Sequence, residues 1–194
     1  MLKCEDPNSV PLMAPVPPEG WTREIREFFA IMEGPQCLEE GTRFNIQAVM
    51  ANHPQLSSAW ARYNQFVAKE LELSDRLREI AILRTGWLNE AGYEWHQHRI
   101  SGLRCGLTDA HIEAAKMGAD AAIWTDEERL VVRAADGLCT ETEIPADTVT
   151  ALIETFGPRR VLELLWTIGS YLMLGRIMNS LRVPIEAFCL PDAE

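Results

Sequence analysis

An all-α fold is what this 194-residue chain predicts, and three observations carry the expectation. Apolar residues recur at helical spacing through most of the chain after residue 20. Helix-opening and helix-closing residues punctuate those runs. No segment shows the strict apolar–polar alternation, bounded by hairpin turns, that a half-buried sheet requires.

The first 20 residues contain Pro11, Pro15, Pro17 and Pro18, too many for a helix, and read as an extended arm able to cross a neighbouring subunit. Residues 21–194 read as a single helical domain. Trp21 to Ile31 places Ile25, Phe28 and Phe29 on one face, and Glu33-Gly34-Pro35 ends it. Arg43 to Ala51 and Leu56 to Leu71 follow, divided by Asn52-His53-Pro54; the second carries Trp60, Tyr63, Phe66, Val67 and Leu71 as core or subunit interface. Ser74 or Asp75 can cap the next helix. That helix runs through Leu77, Ile80, Ala81, Leu83 and Leu88 to an interruption at 89–92, and is apolar nearly all round, as a central helix must be. A helix from about Tyr93 ends at Cys105-Gly106, and Thr108 starts a short one that stops at Gly118. Thr125-Asp126-Glu127-Glu128 is a capping box launching Arg129 to Cys139. Pro145 fits a first helical position, opening a helix to Phe156-Gly157, and Pro158 opens the last long helix, ending before Val183-Pro184. The apolar stretch Val161 to Met178 carries Glu163 and Arg176 and reads as a buried core helix, not a membrane span. Two buried hairpins, Ser74 to Cys105 and Pro145 to Arg182, allow a weak internal duplication.

Composition narrows the function. A chain 47% hydrophobic is large enough to bury one substantial core. Its formal net charge of −11 repels nucleic-acid backbones and anionic membrane surfaces, whereas the aromatic-rich helices and the proline arm favour association with other copies of the chain, in a dimer or trimer-based assembly. Lys3, Glu5 and Asp6 stand where a signal peptide needs an apolar core, so the cytoplasm is expected. The five cysteines, Cys4, Cys37, Cys105, Cys139 and Cys189, are never spaced C-x-x-C, consistent with reduced thiols and no thiolate zinc site.

The chemistry concentrates between Leu77 and His98, where Glu79, Glu94 and His98 stand in apolar surroundings. Ionisable groups are costly to bury, which marks such a segment as functional. Glu94 and His98, four apart, lie about 40° apart on one helix face, and a carboxylate beside an imidazole fixes its tautomer and raises its basicity, as general acid–base catalysis needs. If the 89–92 break folds the two helices together, Glu79 joins them. A surface Glu–His pair is the plainer reading, and the central position of Glu79 weighs against it. Glu90, Glu94 and His98 would align as metal ligands only in a helix unbroken through Gly92. His53 and His111 read as surface residues. Trp87, Trp95, Trp166 and Tyr171 read as packing.

The run R-L-R-E-I-A-I-L-R-T-G-W-L-N-E-A-G-Y-E-W-H-Q-H, followed by G-L-T-D-A-H-I-E-A-A, resembles the signature of the carboxymuconolactone decarboxylase and alkylhydroperoxidase D-like superfamily, strongly over Leu73 to Gly118 and more weakly at G-S-Y-L-M-L-G-R-I-M-N-S-L-R-V-P. The resemblance implies an all-helical, oligomeric fold. It places Glu79 on the proton-relay glutamate and His98 on the active-site histidine. Hydroperoxidase members carry C-x-x-C where this chain has Ala91 and Glu94; neither can replace a thiolate, and Cys105 has no resolving partner nearby in sequence. The implied activity is therefore a decarboxylase-like lyase of a small lactone or carboxylic acid, without metal or organic cofactor. In that reading His98 is the acid or base, Glu79 its relay and Glu94 the group tuning it. Tyr93 or a backbone amide holds the oxyanion, and Arg84, Arg99 or Arg176 binds a substrate carboxylate, with Arg84 otherwise paired to Glu79 or Glu90. A thiol-dependent hydroperoxidase and a non-catalytic oligomerisation module are the alternatives.

Overall fold

The computed structural model describes residues 2, 3, 6, 8–141 and 143–189, among which nine α-helices and no strand are present. They are α1 (Arg23–Glu33), α2 (Cys37–Glu40), α3 (Asn45–Met50), α4 (Pro54–Lys69), α5 (Asp75–Leu88), α6 (Gly92–Arg104), α7 (Asp109–Met117), α8 (Asp126–Thr140) and α9 (Ala146–Leu181). The fold is all-α. The four-residue α2 was not foreseen, because a single turn shows no periodicity. Cys4 lies outside the described residues.

Local chemistry accounts for the boundaries. Ser74 Oγ accepts from the Leu77 amide at 3.3 Å, and Thr125 and Glu128 close a reciprocal capping box. Thr108 closes a second box with His111 in the place usually held by Glu or Gln. Pro145 is the N-cap of α9, one position before the first helical residue expected for it. Gly157, at φ 75° and ψ 161°, divides α9 into two helical runs, a backbone geometry open mainly to glycine.

Every residue of α5 from Leu77 to Gly86 is buried, with α6, α7, α8 and α9 packed around it. The main core joins Ile80, Leu83, Trp95, Trp124, Val131 and Leu164. A second cluster, Ile25, Phe28, Phe29, Cys37, Ala51 and Ala61, ties α1 to α4, and a third, Val49, Tyr93, Met178, Val183 and Ile185, bridges them.

The reading of Val161 to Met178 as a buried core helix holds for one face only. Val161, Leu164, Ile168 and Met178 point inward, whereas Leu162, Trp166, Met173 and Ile177 are exposed. By length and composition alone α9 could cross a membrane, but its inner face is committed to α5 and α8.

The N-terminal arm hydrogen-bonds to its own chain. Lys3 exchanges backbone hydrogen bonds with Glu90 and Gly92, Leu12 N donates to Leu181 O, and Val16 N donates to Ala48 O. The arm thereby fastens the 89–92 turn that positions α6.

Candidate active site

Sequence order sets the site up directly: α5 descends through the core, the chain reverses at 89–92, and α6 returns alongside it. Glu90 takes φ 52° in that turn and pairs with Lys3 at 3.2 Å. This reversal excludes the continuous helix that a Glu90–Glu94–His98 ligand set would need, and no group of three or more potential metal ligands occurs among the described residues.

The return of α6 brings His98 to Glu79, with His98 Nδ1 donating to Glu79 Oε2 at 2.7 Å. The other oxygen of Glu79 accepts from Arg78 Nη2 at 3.3 Å, and Arg78 is anchored in turn to Asp75 at 2.6 Å. Burial raises the pKa of Glu79, but the charge and hydrogen bonds of His98 and Arg78 outweigh it and hold the carboxyl below its ordinary value. Glu79 is therefore an anion at neutral pH, which fixes the proton of neutral His98 on Nδ1 and leaves Nε2 for chemistry. The edge of the imidazole meets the Tyr171 ring, 4.8 Å between centroids at 87°.

His98 lines a cavity of about 210 Å³ with Glu94, Tyr93, Tyr171, Trp60 and Met178. The cavity lies between the second and third clusters, since Met32 and Trp60 belong to the one and Tyr93 and Met178 to the other. No Lys or Arg is among the described residues lining it.

Glu94 makes no hydrogen bond to His98, contrary to what the four-residue spacing suggested. The imidazole partner is Glu79, and Glu94 is 2% exposed, with both carboxyl oxygens buried and without a hydrogen-bond partner among the described residues. Small neighbours give it room: an added Cβ at Gly175 would sit 3.2 Å from Glu94 Oε2, and one at Gly86 would sit 3.8 Å from Glu94 Cβ. Burial pushes its pKa well above the ordinary carboxylate value. Its place in the first turn of α6 favours an anion by only about 0.3–1 kcal/mol, up to about 2 in partly buried sites, against several kcal/mol for desolvating an ion. Burial wins, and Glu94 is a neutral acid.

Tyr93 and Arg84 are both committed elsewhere. The Tyr93 hydroxyl donates to Glu186 Oε1 at 2.6 Å, and burial together with the Glu186 charge raises its pKa well above the ordinary phenol value. Arg84 lies outside the cavity, its Nε on Asp136 Oδ1 at 2.5 Å and its Nη1 on the carbonyls of Ala115 and Lys116 at 3.0 Å. Its partner is thus Asp136 rather than Glu79 or Glu90. Arg99 pairs with Asp109, and Arg176 with Asn89. Trp87 and Trp95 pack on each other 5.3 Å apart, under the Lys116 ammonium and away from the cavity lining.

Two features escaped sequence reasoning. Tyr171, read as ordinary core, is the ring that packs on His98. Glu186 gathers Tyr93, Gln97 and the Asn45 amide at 2.6–2.7 Å. An acidic residue in the apolar stretch 183–189 is the same signal that marked Glu79, and it was available.

Each of the four described cysteines has its thiol pKa raised, chiefly by burial: Cys37, Cys105, Cys139 and, to about 11, Cys189. None has the lowered pKa of a peroxide-reducing thiol.

Residues 54–137 match the carboxymuconolactone decarboxylase family. Two solved structures are among those that resemble the chain. One is an uncharacterised peroxidase-related protein from Ralstonia eutropha JMP134 with an alkylhydroperoxidase AhpD core, 16% identical, covering 93% of this chain and 96% of its own at a TM-score of 0.77. The other is a protein of unknown function from Agrobacterium tumefaciens, suggested to be the antioxidant defence protein AhpD, 19% identical, covering 70% of this chain and 94% of its own at a TM-score of 0.66. At such identities the likeness establishes the fold. No curated protein matches the sequence significantly.

Proposed function

We propose, for this chain whose residues 54–137 match the carboxymuconolactone decarboxylase family, a cofactor-independent, decarboxylase-like activity on a small lactone acid, carried out by proton transfer. The observation that carries this reading is the 2.7 Å Glu79–His98 pair, whose imidazole lines a cavity of about 210 Å³. In this mechanism the bond between the substrate ring and its carboxylate breaks. Carbon dioxide leaves, and the electron pair passes through the conjugated system to the carbonyl oxygen. Protonated His98 then delivers the Nε2 proton to the carbon and regains one from water, so that substrate anion plus one proton gives product plus carbon dioxide. The Glu79 anion stabilises the imidazolium and keeps the ring in register. A wall without Lys or Arg leaves the departing carboxylate poorly solvated in the ground state, and losing it as carbon dioxide removes that penalty.

The test is carbon dioxide release from carboxymuconolactone-type acids by the native protein and His98→Ala, with an organic hydroperoxide and a dithiol in parallel. Release should fall by about 10²–10⁴ in the variant. Peroxide turnover would establish the hydroperoxidase reading instead, against the raised thiol pKa values.

We also propose that copies of the chain associate through the exposed apolar residues of α9, Leu162, Trp166, Met173 and Ile177. Trp166→Glu should lower the mass measured by light scattering to that of a monomer. An unchanged mass would place the interface elsewhere.

A further inference from the structure

Beside the His98 cavity lies a larger groove of about 480 Å³, bounded by α3, the start of α4, the C-terminal part of α9 and Met13 of the arm. Ile46, Trp60 and Leu174 line both spaces, so the two share a wall made of these half-buried side chains.

The groove is apolar, and the reason can be traced. No Asp, Glu, Lys or Arg occurs among the described residues lining it. Its three polar residues turn to backbone. Asn52 Nδ2 donates to the carbonyls of Ala14 and Val49 at 2.9 Å, Ser57 Oγ donates to Met50 O at 2.6 Å, and His53 Nδ1 accepts from the Leu56 amide at 3.3 Å as the cap of α4. Such a wall rewards contact with hydrocarbon and offers nothing to an ion.

Size separates the two roles. Sites that enclose an organic ligand run to about 300–1,000 Å³. The His98 cavity, at about 210 Å³, falls below that range and suits a reacting end alone, whereas the groove falls inside it.

We infer that the substrate of the His98 site carries an apolar chain, seated in the groove between α3, α4 and α9 while its acid end meets the imidazole. This rests on the proton-transfer reading and adds to it a selectivity for hydrophobic acids. The occupant is the substrate rather than a second copy, because the groove shares a wall with the catalytic cavity. Of the exposed strip of α9, only Met173 and Ile177 line the groove, and Leu162 and Trp166 lie outside it.

The methionines make the test direct. Met50 and Met173 line the groove, Met32 and Met178 line the His98 cavity, and Met117 is exposed and lines neither. Nuclear magnetic resonance of isotope-labelled methionine methyl groups would follow titrations with butanoate, hexanoate and octanoate. Octanoate should shift Met50 and Met173 together with Met178 and leave Met117 in place. Each added methylene should tighten binding about threefold to fourfold. Leu56→Glu, which sets a charge on the exposed rim, should remove most of that gain and leave butanoate binding unchanged, whereas Leu56→Met should keep the gain. Affinity independent of chain length, or octanoate shifts confined to Met32 and Met178, overturns the inference. So does octanoate binding to the Trp166→Glu variant alone, which would give the groove to a neighbouring copy. The titration needs no turnover, so absence of carbon dioxide release would sink the proton-transfer reading while the methyl shifts still decide the groove.

Discussion

Replacing Glu94 by glutamine should leave the protein unchanged in acid and make it more stable near neutrality, with a slope that follows from where the carboxyl is buried. The folded site holds the acid neutral because the side chain is 2% exposed and no partner compensates an anion. The unfolded chain releases that proton near the ordinary value of 4.5. Below 4.5 both states are protonated and the term vanishes. Above it the folded state holds one proton more than the unfolded state, so native stability falls by about 1.4 kcal/mol for each pH unit until the raised folded pKa is passed. Glutamine carries no proton to lose. The titrations of Glu33 and Glu79 are common to both proteins and cancel in the difference. Urea unfolding at fixed protein concentration, followed from pH 4 to 7, should therefore show the variant gaining on the native protein by about 1.4 kcal/mol between pH 5 and 6. Parallel curves across that interval would refute the argument, because they would mean that Glu94 ionises in place.

Three further outcomes follow from the same structure. Arg84→Met should lower stability by about 1.5–3 kcal/mol in chemical denaturation, since Asp136 and two backbone carbonyls lose their donor. It should leave kcat unchanged, and a large loss of activity at unchanged stability would return Arg84 to the site. Gly175→Ala should destabilise by about 1–3 kcal/mol, because its Cβ would stand 2.5 Å from Asn89 Nδ2 and 2.9 Å from Ala91 Cβ; a neutral effect on thermal unfolding would show that the contact of α9 with the 89–92 turn is looser than described. The thiols of Cys37, Cys105, Cys139 and Cys189 should alkylate with iodoacetamide at pH 7 more slowly than a free thiol, and one fast-reacting thiol among them would reopen thiol chemistry.

Much of the fold was legible because its signals are local. Ser74, Thr125 and the periodic apolar residues determine where chain segments become helical, and these preferences need no tertiary partner. Apolar residues spread round every side of 77–88 likewise mark a helix enclosed on all sides. The pairing within the site was not local. Four-residue spacing permits Glu94 to meet His98, yet Glu79, 19 residues away, takes that place once α6 folds back on α5. Nothing in the α6 sequence reveals that Gly86 on α5 and Gly175 on α9 open space for the Glu94 carboxyl. Arg84 misled for a related reason: an arginine inside the central helix looks like an anion receptor until α8 brings Asp136 and α7 brings two helix-end carbonyls to it. The exposed strip of α9 was hidden by composition, which reports that a helix is apolar without saying which face is covered.

The chemistry at position 94 turns on one comparison. A thiol at the start of a helix is readily ionised, because the terminal dipole and nearby cations need supply little to lower its pKa. A carboxyl is more acidic than a thiol in water, yet here the order of consequence reverses. The Glu94 side chain is enclosed by Gly86, Gly175 and the cavity wall, and no cation reaches it. The helix terminus contributes about 2 kcal/mol at most, whereas an unpaired buried anion costs several. At the position where the resemblance sets the second cysteine of a C-x-x-C pair, this chain therefore holds a neutral carboxyl, with an O–H to donate and no anion to attack with.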